Sequence, residues 1–353
     1  MNFSYESLAT RVLFGAGKFA ELPAEITRLS MQRPLIISTR GQYLLATQAR
    51  SIIGADTPIF SGAVAHVPSE SVSEILTHIN NNQNDGCICI GGSSTIGLAK
   101  AVALQIGLPI LAVPTTYAGS EMTPIWGITE AGVKVTGRNP IVQPKTVIYD
   151  PLLTLTLPPL ISGPSGINAL AHCVEALYAE NQNPIISMMS ETSIKALAES
   201  LPVLCKYPLD ESARTKALYG SWLAGIALGS VGMALHHKLC HVLGGSFSLP
   251  HAQVHSVMLS HVVNYNKRHA PAAMEAIARA LNVDVKDVAG GIFDLAQQVG
   301  APLSLAAIGM NEADLVKAAE HVLAKPYYNP RAVTGPPILE LLQNAYRGVR
   351  PIP

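Results

Sequence analysis

Short apolar runs of β type alternate with amphipathic stretches over the first 150 residues, and the alternation then stops. The runs Arg11–Phe14, Pro34–Thr39, Pro58–Ser61, Cys87–Ile90, Ile110–Val113 and Thr146–Tyr149 have the length and composition of strands. Between them, Gly41–Ile53, Ser71–Asn80 and Thr95–Gln105 repeat apolar residues at helical spacing. Strand–helix–strand alternation predicts a mainly parallel sheet with helices on both faces. Beyond Asp150-Pro151 the strand pattern disappears. From Ser165 onward the chain reads as helix, punctuated by Pro184, Pro208, Pro250, Pro302, Pro326 and the Pro336-Pro337 pair. The expected architecture is an α/β domain over residues 1–154 and an all-helical domain over residues 155–353. The longest nearly uncharged run, Trp222 to Leu235, is too short to span a bilayer and reads as a helix buried on all sides.

Composition narrows the function classes. Charged residues are 14% and hydrophobic ones 48%, with a net charge of zero. No basic stripe is available to neutralise a phosphate backbone, so neither nucleic acid nor a membrane is an expected partner. The five cysteines, Cys87, Cys89, Cys173, Cys205 and Cys240, are dispersed, and Met1 to Glu6 shows no basic region leading into an apolar one. Both observations predict a cytoplasmic protein. Cys87 and Cys89 share one face of an apolar strand and read as core packing.

The candidate chemistry lies in two regions. Gly91-Gly92-Ser93-Ser94-Thr95 follows a strand and opens the helix that carries Lys100. Glycines at such a turn let backbone approach a ligand, and the first N–H groups of the helix favour a pyrophosphate. A second loop, Pro114 to Ser120, leaves the next strand and adds Thr115, Thr116, Tyr117 and Ser120. In a parallel sheet both loops emerge at the carboxyl edge, where nucleotides bind. The sequence is not a G-x-G-x-x-G fingerprint, and either loop alone could be an ordinary capped turn. At the end of the second strand, Ile37-Ser38-Thr39-Arg40-Gly41 has no acidic residue to repel a 2′-phosphate. Both NADH and NADPH are therefore expected to be accepted.

The second region is histidine-rich. Asn168 and His172 are four residues apart, as are His237 and His241, so each pair shares a helix face. His251 follows Gly244, Gly245 and Pro250 and is expected on a turn that folds back towards that face. The layout is that of a metal cage in which Asn168 replaces the carboxylate that a hard cation would want. Any one of these histidines could be a hydrogen-bonded core residue, but the matched spacing of the set argues for chemistry. Lys238 could join them or point to solvent. Arg138 and Arg331 could clamp a carboxylate or form surface ion pairs. Glu175 is expected to brace a helix or to orient His172. His236, His255 and His261 have no assigned role.

Together, Asn168 to Ala176, Leu235 to Gly245 and Pro114 to Gly127 resemble the iron-containing (group III) alcohol dehydrogenase superfamily, and within it the maleylacetate reductase branch. The resemblance covers essentially the whole chain. It maps that superfamily's metal ligands, one Asp and three His, onto Asn168, His172, His237 and His251, with His241 near the nicotinamide. Ser93 stands where the family has a third glycine, and Gly97 where it has an aspartate. The resemblance implies a dinucleotide-binding domain followed by a helical one, a homodimer, and reduction of a small dianionic dicarboxylate, maleylacetate, to 3-oxoadipate without a bound metal. Asn168, His172, His237, Lys238, His241 and His251 are then the catalytic candidates. The nearest rival is a metal-dependent alcohol or aldehyde dehydrogenase in which Asn168 still serves as a ligand. A sugar-phosphate cyclase would need more Lys and Arg around these motifs. A non-catalytic scaffold leaves the cost of burying polar imidazoles unexplained.

Overall fold

The computed structural model describes residues 3–7, 9–131 and 133–353. The chain divides into two compact units, Ser7–Thr156 and Leu157–Pro353, the latter joined by residues 3–6.

The strands of the first unit are β1 (Arg11–Phe14), β2 (Pro34–Ile37), β3 (Ile59–Phe60), β4 (Gly86–Gly91), β5 (Ile110–Pro114), β6 (Ile125–Glu130), β7 (Val133–Arg138) and β8 (Thr146–Tyr149). Six of them form one parallel sheet in the order β1-β8-β5-β4-β2-β3. These are the six expected runs, shifted by no more than two residues at their ends. Strands β2, β4, β5 and β8 are buried throughout. Burial on both faces is why they read as continuous apolar runs rather than alternating ones. The helices of this unit are α1 (Leu22–Arg28), α2 (Tyr43–Ile53), α3 (Ser69–Asn82) and α4 (Ser93–Ile106).

Strands β6 and β7 pair as an antiparallel hairpin outside the sheet, which the run-based reading did not anticipate. Its signal is alternation of another kind, Val133-Lys134-Val135-Thr136, with Val133 and Val135 exposed. Such a strand gains little from burial and lacks the long apolar run of a core strand. The hairpin is tied to the loop before α3: the Thr129 amide donates to Val67 O at 3.0 Å and its hydroxyl to His66 O at 2.8 Å.

The second unit is helical: α5 (Pro159–Ala176), α6 (Pro184–Lys206), α7 (Glu211–Ser230), α8 (Leu235–Ser246), α9 (His251–Asn266), α10 (Pro271–Leu281), α11 (Val288–Gln298), α12 (Leu315–Leu323) and α13 (Gly335–Arg347). Helix α5 is buried from Ser162 to Ala176 and packs against α6, α7 and α9. Gly166 allows the closest of these approaches, since a Cβ there would lie 2.3 Å from Leu201 Cδ2 on α6. The run Trp222 to Leu235 is not one buried helix. Helix α7 stops at Ser230, α8 starts at Leu235, and their axes differ by 96°. Gly232 lies in the break, and Trp222, Ile226 and Leu228 are only half-buried. Among the described residues no single helix is long and apolar enough to cross a membrane.

Helix α9 also carries His261, whose Nε2 is buried and has no hydrogen-bond partner. Burial pushes its pKa from the ordinary 6.5 down to about 4. The unfolded chain takes up this proton below pH 6.5, whereas the folded chain refuses it until about pH 4. Stability is therefore complete above 6.5 and falls with pH through that window, by about 1.4 kcal/mol per unit from this group. Urea unfolding at pH 7 and pH 5 checks this. A His261→Asn variant whose slope over that interval equals the wild type's would contradict it.

Candidate active site

The glycine turn lies at the carboxyl edge of the sheet. Gly91 ends β4 with φ +142°, a backbone conformation that disfavours side chains. A Cβ on Gly91 would sit 2.9 Å from Thr95 Oγ1, and one on Gly92 3.0 Å from Thr116 Cγ2. The two loops are therefore in contact: the Thr115 amide donates to Gly91 O at 3.0 Å, and β4 pairs with β5 as far as Gly91 and Pro114. A third loop joins them, with Gln42 Nε2 reaching Thr115 Oγ1 at 3.5 Å. Helix α4 begins at Ser93, and its N-cap Gly92 supplies no side-chain cap. The first amides of a 14-residue helix thus open from a glycine turn packed closely against the second loop, and helix-start amides of this kind fit a dinucleotide phosphate.

Of the residues expected around this cradle, Ser93 is exposed, while Thr39, Gly92, Ser94, Thr116 and Ser120 are half-buried. Ser38, Thr95, Thr115 and Tyr117 are buried. Thr95 donates its hydroxyl to Gly92 O at 2.9 Å, closing the turn. Ser38 is fully buried and its Oγ has no hydrogen-bond partner. Gly97 packs tightly, since a Cβ there would lie 2.7 Å from Val67 Cγ2.

Lys100 has a role that its position within a helical pattern did not reveal. Its Nζ is buried and donates to Ser120 O at 2.6 Å, Thr123 O at 2.6 Å, Thr123 Oγ1 at 2.9 Å and Ile125 O at 2.9 Å. It thereby pins the chain that follows the second loop. Burial pushes Lys100 down to about 7, and the nearby Glu121 works in the opposite direction.

In the helical unit, α5 supplies Asn168, His172 and Glu175, α8 supplies His236, His237, Lys238, Cys240 and His241, and α9 supplies His251 and His255. His172 Nδ1 and His237 Nε2 are hydrogen-bonded at 2.8 Å. His237 Nδ1 lies 2.6 Å from Glu175 Oε2. The expectation that Glu175 orients His172 is corrected here: its ring partner is His237. Its other expected role, bracing a helix, is also present. The amides of Ala234 and His237 donate to Oε2 at 3.0 and 3.3 Å, and that of His236 to Oε1 at 2.7 Å. Helix α8 starts after Ala234, which has no capping side chain, so a carboxylate from α5 satisfies its first amides and meets the positive end of its dipole.

His251 is not on a turn. It is the first residue of α9, capped by Pro250, while Gly244 and Gly245 lie within α8. The cluster nevertheless forms: the His251 ring is 4.5 Å from that of His255 and 6.4 Å from that of His241. His241 and His251 are exposed, whereas His172 and His237 are buried. Lys238 is half-buried, with its ammonium 5.7 Å above the Tyr327 ring rather than extended into solvent. Arg331 stacks on Tyr265 at 4.0 Å, and Arg138 is exposed at the end of β7.

His236 and His255, to which the spacing argument gave no role, form a fully buried layer behind these groups. His236 Nε2 meets His255 Nδ1 at 2.9 Å and Cys240 Sγ at 3.6 Å. Burial, then the neighbouring imidazoles, hold both histidines well below the ordinary imidazole value, and burial raises the Cys240 thiol. The layer is neutral. Its sequence signal was present as His236-x3-Cys240 and His251-x3-His255.

The imidazoles of His172 and His237 meet each other directly. A tetrahedral metal with bonds of about 2.0–2.1 Å holds two imidazole nitrogens about 3.3 Å apart. The His172–His237 nitrogens are closer, at hydrogen-bond distance. Among the described residues, the trio of His, Cys, Asp or Glu with ligand atoms within 4.8 Å of one another is His236, Cys240 and His255, not His172, His237 and His251. Even in that trio, the 2.9 Å nitrogen separation is that of a hydrogen bond. Asn168 contributes a neutral amide whose Oδ1 is buried and accepts no hydrogen bond.

Comparison with known proteins agrees with this layout. Residues 9–151 match the iron-containing alcohol dehydrogenase family model, and residues 163–346 match the C-terminal model of the Fe-containing alcohol dehydrogenase family. The maleylacetate reductase of Burkholderia cepacia is 49% identical over 350 residues, covering 99% of both chains. That of Delftia acidovorans is 49% identical over 354 residues, covering 100% of both. The crystal structure of maleylacetate reductase from Agrobacterium tumefaciens superposes with a TM-score of 0.95 at 45% identity, covering 99% of this chain and 100% of that one. The chain is thus an oxidoreductase that belongs to the iron-containing alcohol dehydrogenase family and groups within it with the maleylacetate reductases.

Proposed function

We propose that this chain, a member of an NAD(P)-dependent family, reduces maleylacetate to 3-oxoadipate without a metal at the Asn168 position. The observation that carries the reading is the direct His172–His237 hydrogen bond beside a neutral Asn168, in a chain 49% identical to maleylacetate reductases. The amides of Ser93, Ser94 and Thr95, with Gly91 and Gly92, hold the cofactor phosphates. Thr115, Thr116, Tyr117 and Ser120 line the same edge, and Ser38 and Thr39 border the ribose side. When bound, NADH or NADPH supplies the hydride. The substrate is a dianionic dicarboxylate with an activated double bond. Hydride adds to one alkene carbon, the electron pair moves to a conjugated oxygen, and the neighbouring carbon then takes a proton. His241 and His251 supply hydrogen-bond donors to the developing charge and the proton to the carbon, and the hydrogen-bonded His172–His237 pair forms the buried polar wall beside them. The Lys238 ammonium offsets the charge of a substrate carboxylate, and the Asn168 amide offers a neutral contact beside the imidazoles. In this reading two copies of the chain form the working enzyme.

One observation favours a second reading. The unpartnered Asn168 Oδ1 is an oxygen that a bound cation would occupy, as in a metal-dependent alcohol or aldehyde dehydrogenase. The test is oxidation of NADH, and separately NADPH, on adding maleylacetate, with and without EDTA pretreatment. Turnover with both cofactors, unchanged by chelator, is expected. Loss to EDTA with recovery on adding iron or zinc would give the second reading, and complete rejection of NADPH would refute the cofactor assignment.

A further inference from the structure

We infer that Glu175 is a positioning residue that sets the tautomer of the His237–His172 pair. The inference rests on the reading of those imidazoles as part of the reduction site. Both Glu175 oxygens are occupied by donors: Oε1 by the His236 amide, and Oε2 by the Ala234 and His237 amides and by the His237 ring. A carboxylate so surrounded only accepts, so His237 Nδ1 carries the hydrogen of the 2.6 Å contact. In the neutral ring Nε2 is then the acceptor, and the 2.8 Å contact must be donated by His172 Nδ1–H. The hydrogen bonds run in one direction, from His172 through His237 to Glu175, and Nε2 of neutral His172 is left as that ring's acceptor.

Two features make this arrangement stiff. Glu175 is fully buried on α5, the central helix of its unit, so it has no solvent into which to swing. The same carboxylate holds the start of α8, which carries His237, so ring orientation and helix position are set by one group. The sequence separation of 62 residues between Glu175 and His237 makes this a purely tertiary device.

Glu175→Gln and Glu175→Ala separate the two roles. In Glu175→Gln an NH2 at the Oε2 position would face the Ala234 and His237 amides as well as the ring, whereas at the Oε1 position it faces the His236 amide alone. The oxygen therefore stays on the ring and keeps its hydrogen on Nδ1, while Glu175→Ala removes the acceptor altogether. Long-range 15N–1H correlation spectra of histidine-labelled protein are expected to show Nδ1–H on His237 and His172 in the wild type and in Glu175→Gln, and loss of that single tautomer in Glu175→Ala. Glu175→Ala should lose about tenfold to a hundredfold in kcat, with the NADH dissociation constant unchanged and KM moved little, and Glu175→Gln should recover most of that loss. A wild-type His237 protonated on Nε2 would overturn the inference, and so would an unchanged tautomer with kcat within threefold in Glu175→Ala. The wild-type spectrum decides the matter even if the variant fails to fold. It needs no substrate, so it stands apart from any failure to turn over maleylacetate.

Discussion

His237→Ala is expected to lower kcat for maleylacetate reduction by a factor of about 10²–10⁴, with NADH binding and the helical fold retained. The ring stands at the junction of the cluster, hydrogen-bonded to His172 at 2.8 Å and to Glu175 at 2.6 Å, and 5.1 Å from the ring of His255. Removing it takes away one polar group from the proposed site of charge development and also the acceptor that orients His172. The Glu175 contacts to the Ala234 and His236 amides remain, so α8 keeps its cap. A thousandfold loss corresponds to about 4 kcal/mol of transition-state stabilisation, within the range for removing an oriented polar group from a preorganised site. Steady-state kinetics, NADH fluorescence titration and circular dichroism together check the prediction. A kcat within threefold of wild type would remove His237 from the reaction and leave His172, His241 and His251 to account for it.

Lys100→Met is expected to destabilise the protein by about 3–5 kcal/mol and to weaken NADH binding. Methionine fills a similar volume, so packing is largely kept and the loss isolates the polar contacts. Three backbone carbonyls, those of Ser120, Thr123 and Ile125, converge on Nζ; without it Ser120 O keeps the Thr123 amide and hydroxyl, while the Thr123 and Ile125 carbonyls lose this donor. These residues end and directly follow the Thr115 to Ser120 loop that abuts the glycine turn, so releasing them loosens one wall of the proposed phosphate cradle. Urea unfolding and NADH titration on the same preparation measure both effects. A loss below 1 kcal/mol with unchanged NADH affinity would show that the loop holds itself.

The two predictions draw on parts of the molecule that differ in how far the chain alone reveals them. The six parallel strands were readable because each is a compact apolar run ending in turn residues, and burial on both faces writes that pattern locally. The hairpin of β6 and β7 was not, since it is stabilised by cross-strand pairing over an exposed face and leaves only weak alternation. The break between α7 and α8 was hidden because Gly232 and its apolar neighbours continue the composition of a helix while interrupting its hydrogen bonds.

At the site, spacing of four residues identified Asn168 with His172 and His237 with His241, because helical geometry places such residues on one face. The same argument found the glycine turn from its place between a strand and a helix. Which imidazole meets which is another matter. His172 meets His237 across 65 residues and Glu175 meets His237 across 62, contacts set by how α5 and α8 cross. Local periodicity specifies the face a side chain occupies, not what the neighbouring helix brings to that face. Residue types and helix faces thus come from short-range backbone geometry written into the chain. The Glu175 cap, the paired imidazoles, the neutral layer of His236 and His255, and the Lys100 brace exist only where packing closes distant segments on one another and removes water from between them.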